Sequence, residues 1–192
     1  MPRRLPFLFL LLFLTFAALL RLTDLRDQPL DFNPVRQLRS SIIARGIYYA
    51  HRTDLDPKKQ EQAINFGESM PLYEPPLLET LIAYGYQLTG GENIAIPRIL
   101  NTFFWLAACL VLFGIARPMA SEWAVLPGLA FFLFLPFSIY ASRSFQPESW
   151  MVMWVALAVY AFIQWHKTPT WKWAFLAGIL GGIAALVKIM AA

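Results

Sequence analysis

Five apolar runs, each close to the length of a membrane span, constrain this sequence more than anything else in it: Leu5 to Leu22, Ile99 to Ala116, Trp123 to Ala141, Ser149 to Trp165 and Trp173 to Met190. A bilayer's hydrocarbon core is about 30 Å thick and takes roughly 20 mostly apolar residues to cross as a helix. Several runs begin or end on Trp, the residue that favours the membrane interface. Composition agrees. Of 192 residues 58% are hydrophobic and 15% charged, which excludes an ordinary soluble domain.

The first run follows Arg3 and Arg4 and is not succeeded by a small-x-small cleavage site, so it reads as an uncleaved span rather than a signal peptide. With those arginines inside, the connections Arg117 to Glu122 and His166 to Lys172 also fall inside, carrying Arg117, Lys167 and Lys172 as the positive-inside rule requires. The expectation is a multi-pass protein of the cell (inner or plasma) membrane with a cytoplasmic N-terminus. Residues 23–97 and the short connection Ser142 to Glu148 then lie on the extracytoplasmic side. Lys188 reads as a snorkelling residue at the inner end of the last span. Net charge is +4 but no basic block points to nucleic acid, and the only cysteine, Cys109, sits in an apolar run, leaving no intrachain disulfide. His51 and His166 have no ligand-spaced partners and read as interfacial residues.

The long outer loop holds ten carboxylates against seven bases. Asn33 before Pro34 is a helix start, the Asn as cap and the Pro at the first helical position. The helix runs to about His51, with Val35, Leu38, Ile42, Ile43, Ile47 and Tyr49 favouring one side, a pattern suited to lying on a membrane surface. The polar stretch Thr53 to Ser69 reads as a mobile loop. Pro75-Pro76 then opens a second amphipathic helix with Leu77, Leu78, Leu81, Ile82 and Leu88, ended by Gly90 and Gly91. The expected fold is an all-α membrane protein, a single truncated transmembrane domain with five transmembrane helices and two amphipathic juxtamembrane helices in its first outer loop.

Three outer segments carry candidate chemistry. Asp31, a few residues beyond the first span and ahead of Arg36, is a carboxylate at the membrane surface able to act as a general base; the same acid also suits a helix N-terminus electrostatically. Tyr73-Glu74-Pro75-Pro76 holds an acid on a stiff turn. Ser142-Arg143-Ser144-Phe145-Gln146-Pro147-Glu148 sets an Arg and a Glu close to the bilayer. Arg98, at the outer end of the second span, needs an anionic partner or a path to water. Arg36, Arg98 and Arg143 fall at one depth, and the planar guanidinium fork suits phosphate oxygens.

In this order, an acid after the first span, two juxtamembrane helices, a Tyr-Glu-Pro-Pro-Leu stretch, an Ile-Pro-Arg-Ile entrance to the second span and an acidic connection after the third, the chain resembles the GT-C class of integral-membrane glycosyltransferases, of the protein mannosyltransferase and lipid A aminoarabinose transferase type. The resemblance implies transfer of a sugar from a polyprenyl-phosphate carrier to an acceptor glycan, lipid or protein on the outer face. It implies Asp31 and Glu148 as the catalytic acids, Arg36, Arg98 and Arg143 on the donor phosphate, and Tyr73, Glu74 and Gln146 on substrate. No ligand set for a metal is apparent, although a divalent ion is compatible with such chemistry. The sequence departs from the family at Phe32, where many relatives pair a second acid with the first, at Glu74-Pro75, where a Lys intervenes, and at Gln146-Pro147-Glu148, where an Asp is usual. It stops at Ala192 without a polar tail, as a truncated and by itself inactive chain does. Two other classes compete: a transporter or flippase subunit, which calls for ionisable residues near the membrane midplane, and a non-catalytic membrane scaffold.

Overall fold

The computed structural model describes residues 5–52, 54 and 56–189, so the expectation for Arg3 and Arg4 lies outside the described residues. Among the described residues the fold is all helical: α1 (Leu5–Arg21), α2 (Pro34–Ala50), α3 (Pro57–Ser69), α4 (Leu77–Thr89), α5 (Ala95–Ala116), α6 (Glu122–Phe134), α7 (Pro136–Arg143), α8 (Glu148–Lys167) and α9 (Trp171–Val187). Each of the five apolar runs lies largely on helix, the third divided between α6 and α7 and the fifth leaving α9 after Val187, with Met190 outside the described residues. Among the described residues α5 is long and apolar enough to cross a membrane on its own, and α6 with α7 pass as a pair bent by 58°. The shorter α1 and α9 are predominantly apolar. On α1, Leu8, Leu11, Leu12, Phe16 and Leu19 remain exposed, as side chains bathed by lipid do.

The bend between α6 and α7 has a simple cause. Pro136 lacks an N–H, so the Phe132 carbonyl loses its helical donor. Trp105 Nε1 donates to that oxygen at 3.4 Å, and the Trp105 ring stacks on Phe132 with centroids 4.4 Å apart. The next carbonyl, of Leu133, accepts from Arg21 Nη2 at 2.7 Å. Tertiary donors thus take over carbonyls at the break, which lets a broken helix persist in an apolar setting.

Aromatic pairs order the bundle. Phe7 meets Phe113 at 5.7 Å and Phe9 meets Trp123 at 5.6 Å, setting the start of α1 beside the end of α5 and the start of α6. At the opposite end Arg21 meets Ser142 and Lys188 meets Glu148. The α8–α9 hairpin turns back through three residues, so Lys188 shares an end with Glu148 rather than lying at the opposite, inner end expected for it.

The outer layer differs from expectation in three ways. The stretch expected to be a mobile loop contains α3, whose Asp56 cap accepts from the Lys58 amide at 3.2 Å. It crosses α2 where two glycines meet: a Cβ on Gly46 would lie 3.0 Å from the Ala63 carbonyl oxygen and 3.1 Å from Gly67 Cα. Next, α2 does not present one apolar face to a membrane surface. It is packed against both α3 and α4, burying Gln37, Arg39, Ser40, Ile43, Ala44 and Tyr48 while Val35 and Leu38 stay exposed. Finally, Asn33 precedes α2 in left-handed backbone (φ 46°) and makes no side-chain cap; its carbonyl accepts from the Arg36 and Gln37 amides. The second helix ends as expected, with Gly90 at φ 76°.

Candidate functional site

The site forms at the end of the bundle where the outer layer meets the helix ends. The 32–37 segment lies at its middle. Gln37 is fully buried: its Nε2 donates to Asp31 Oδ1 at 3.2 Å and to the Phe32 carbonyl at 2.5 Å, while its Oε1 accepts from the Phe145 amide at 3.0 Å. Gln146 Nε2 reaches the same Phe32 carbonyl at 3.3 Å. Asn101 donates to the Ser144 and Gln146 carbonyls. In the connection after α7, Ser144, Phe145 and Gln146 are buried, and their polar groups find protein partners there.

On one side of this centre, Asp31 lies 3.7 Å from Arg98 Nη2 and 3.8 Å from Arg143 Nε. Both arginines use their terminal nitrogens on the loop after α1. Arg98 donates to the Asp24 and Gln28 carbonyls, and Arg143 Nη2 to the Thr23 carbonyl at 2.6 Å. They therefore hold the loop that carries Asp31 as well as facing its carboxylate. Here a cleft of about 690 Å³ opens, lined by Asp24, Asp27, Asp31, Arg98 and Arg143 on its polar side and by Leu20, Leu30, Pro136 and Ile139 on its apolar side.

On the other side, Arg36 pairs with Glu74 and lies 3.7 Å from Glu148, which also accepts from Lys188 Nζ at 2.5 Å. Arg39 is 3.6 Å from Glu74 and stacks over the Tyr73 ring, 4.6 Å from its centroid. The eight positions proposed from sequence thus gather at one end of the bundle in two clusters, with Asp31, Arg98 and Arg143 in the first and Arg36, Glu74, Tyr73 and Glu148 in the second; Gln146 lies between them. Arg39, Gln37, Asn101 and Lys188 belong here and sequence reasoning missed them. Asn101 carried a local signal, a polar side chain within the apolar α5, whereas Gln37 and Arg39 lie on a mixed helix and Lys188 just beyond the end of α9.

Five cations (Arg36, Arg39, Arg98, Arg143 and Lys188) face three carboxylates (Asp31, Glu74 and Glu148), and Asp24 and Asp27 add two more on the cleft wall beside Arg98, so the charges are matched in number. The Nε of each of the four arginines is buried without a hydrogen-bond acceptor. Buried donors left without an acceptor in this way are uncommon. Among the described residues no three His, Cys, Asp or Glu side chains converge.

Residues 73–192 match the family model for dolichyl-phosphate-mannose-protein mannosyltransferase, a match that takes in Tyr73, Glu74, Arg98, Arg143, Gln146 and Glu148. No curated protein and no solved structure matches the chain.

Proposed function

Because the chain belongs to the dolichyl-phosphate-mannose-protein mannosyltransferase family, membrane glycosyltransferases of the GT-C kind, we propose that it moves a sugar from a polyprenyl-phosphate-linked donor to an acceptor glycan, lipid or protein on the outer face of the membrane. The observation that carries this reading is the setting of Asp31: a carboxylate at the edge of a 690 Å³ cleft, held by Gln37 and faced by two arginines with open Nε groups. A base beside an anion site is what transfer from a phosphate-linked sugar needs.

Asp31 takes the proton from the acceptor hydroxyl. The acceptor oxygen forms a bond to the anomeric carbon as the bond from that carbon to the phosphate oxygen breaks, with inversion. The electron pair leaves on the phosphate. Arg36, Arg98 and Arg143 stabilise the charge developing there, an interaction that is stronger in the transition state than before it. Glu148 serves as the second acid, and Tyr73, Glu74 and Gln146 contact the substrate. Five spans carry this site with the N-terminus inside. In support, Arg117, Lys167 and Lys172 lie at helix ends remote from the site, as positive-inside sorting requires.

Asp31→Asn in the full-length protein, assayed in membranes for transfer from a lipid-phosphate-linked sugar, tests the reading. Lost transfer at normal membrane levels is expected. Unchanged transfer overturns the assignment of the base.

A further inference from the structure

Arg21 is fully buried at the end of α1, and among the described residues it forms no ion pair. A cation placed in this way is costly, and an apolar side chain of similar volume commonly serves stability as well or better. The bonds it makes are specific. Nε donates to Ser142 Oγ at 2.6 Å, Nη2 to the Leu133 carbonyl at 2.7 Å and Nη1 to the Ala17 carbonyl at 3.1 Å. Leu133 lies just before the break that starts α7, and Ser142 lies in the last turn of α7. One guanidinium thus ties the last turn of α6 to the last turn of α7 across the break between them.

The residue after Ser142 is Arg143, which donates to the Thr23 carbonyl and faces Asp31. Thr23 in turn lies two residues after Arg21. The path from Arg21 along the chain to Thr23, across to Arg143, along the chain to Ser142 and across to Arg21 is closed. Such a ring fixes the wall of the cleft against the loop that holds Asp31, and it leaves Arg21 itself behind that wall.

We propose that Arg21 is a positioning residue for the transfer site, setting α7 and through it Arg143 against Asp31. This rests on the reading of Asp31 as the base. Because Arg21 is fully buried and does not line the cleft, its loss affects turnover rather than donor binding.

The test uses the full-length protein in membranes, with Arg21→Met, Arg21→Lys and Ser142→Ala. Arg21→Met is expected to lower kcat roughly 10- to 100-fold, the scale of small misplacements of reacting groups, with little change in donor KM. Arg21→Lys recovers part of the loss, since an ammonium still donates to Ser142 or Leu133, and Ser142→Ala shows a smaller fall in kcat. A second readout needs no activity: Ser138→Cys, on the buried side of α7, is protected from a water-soluble thiol reagent with Arg21 present and labelled in the Arg21→Met background. Wild-type kcat in the Arg21→Met and Ser142→Ala proteins at normal levels overturns the proposal, as does a loss wholly in donor KM or unchanged protection of the Ser138→Cys variant from labelling. If Arg21→Met fails to accumulate, Arg21→Lys and Ser142→Ala decide. Normal transfer by Asp31→Asn refutes the base instead, and the labelling result still judges whether Arg21 holds α7.

Discussion

Lys188 Nζ lies 2.5 Å from Glu148 Oε1, joining the residue after α9 to the first residue of α8 at the end of the bundle that holds the site. The pair is only partly exposed, and Arg36 stands 3.7 Å away on the same carboxylate oxygen. Glu148 is thus held from two sides, by a point charge and by a planar fork, while its other oxygen is buried without a donor. An acid held in this way is oriented before any substrate arrives, which is what a second catalytic acid requires.

This pairing predicts a measurable coupling. In a double-mutant cycle of Lys188→Met and Glu148→Gln, followed by thermal unfolding of the purified protein, the two changes should be non-additive by about 1 kcal/mol, the upper part of the range for partly exposed pairs. The pair is not an energetic unit if the changes add within about 0.3 kcal/mol. Arg36 remains beside Glu148 in the Lys188→Met protein, so that variant should keep its fold.

How much of this was legible beforehand depended on whether a signal was local. The helical character of the five apolar runs followed from run length and hydropathy alone, Asp31, Arg98 and Glu148 stood out as charges next to such runs, and Glu74 as an acid on a stiff proline-flanked turn. Three features were harder. The helix α3 is polar, and a polar segment with no apolar face resembles a loop, although Asp56 before Pro57 was a start signal of the kind used for α2. The break at Leu135–Pro136 was hidden inside an apolar run that looked continuous, and its proline was the clue. Arg21 looked like the end of a hydrophobic stretch; its burial comes from α6 and α7, more than a hundred residues away, and nothing local announces it.

The crossing of α3 over α2 is predicted to fail when either glycine gains bulk. A side chain at position 46 meets backbone, the Ala63 carbonyl and Gly67 Cα, and backbone cannot swing aside as a flexible side chain does. Gly46→Leu should therefore cost about 1–3 kcal/mol by overpacking, more than the roughly 1 kcal/mol that leaving glycine returns in helix propensity. Hydrogen exchange locates the effect: amides of Pro57–Ser69 should exchange faster while those of α5 and α8 keep their protection. Equal protection throughout α3 would show that the close approach is not what holds it.

Glu79 supplies a pH dependence whose sign is set by its surroundings. It lies in α4, outside the spans, and burial pushes its carboxyl above the ordinary value of 4.5, although Ser40 donates to it at 2.7 Å and Arg39 is near. A raised folded value means that the native state holds this proton more tightly than the unfolded chain. The stabilisation is then fully present below pH 4.5 and is lost as pH rises through the folded value. At neutral pH the fold carries a buried carboxylate at a cost. Glu79→Gln, which keeps an oxygen for Ser40 and removes the charge, should unfold at a higher temperature than the parent near pH 7 and lose that advantage towards pH 4. Melting curves across this window decide the matter: a variant less stable than the parent at pH 7, with the gap closing on acidification, would mean that Ser40 and Arg39 outweigh burial and that the ionised form is the one the fold prefers.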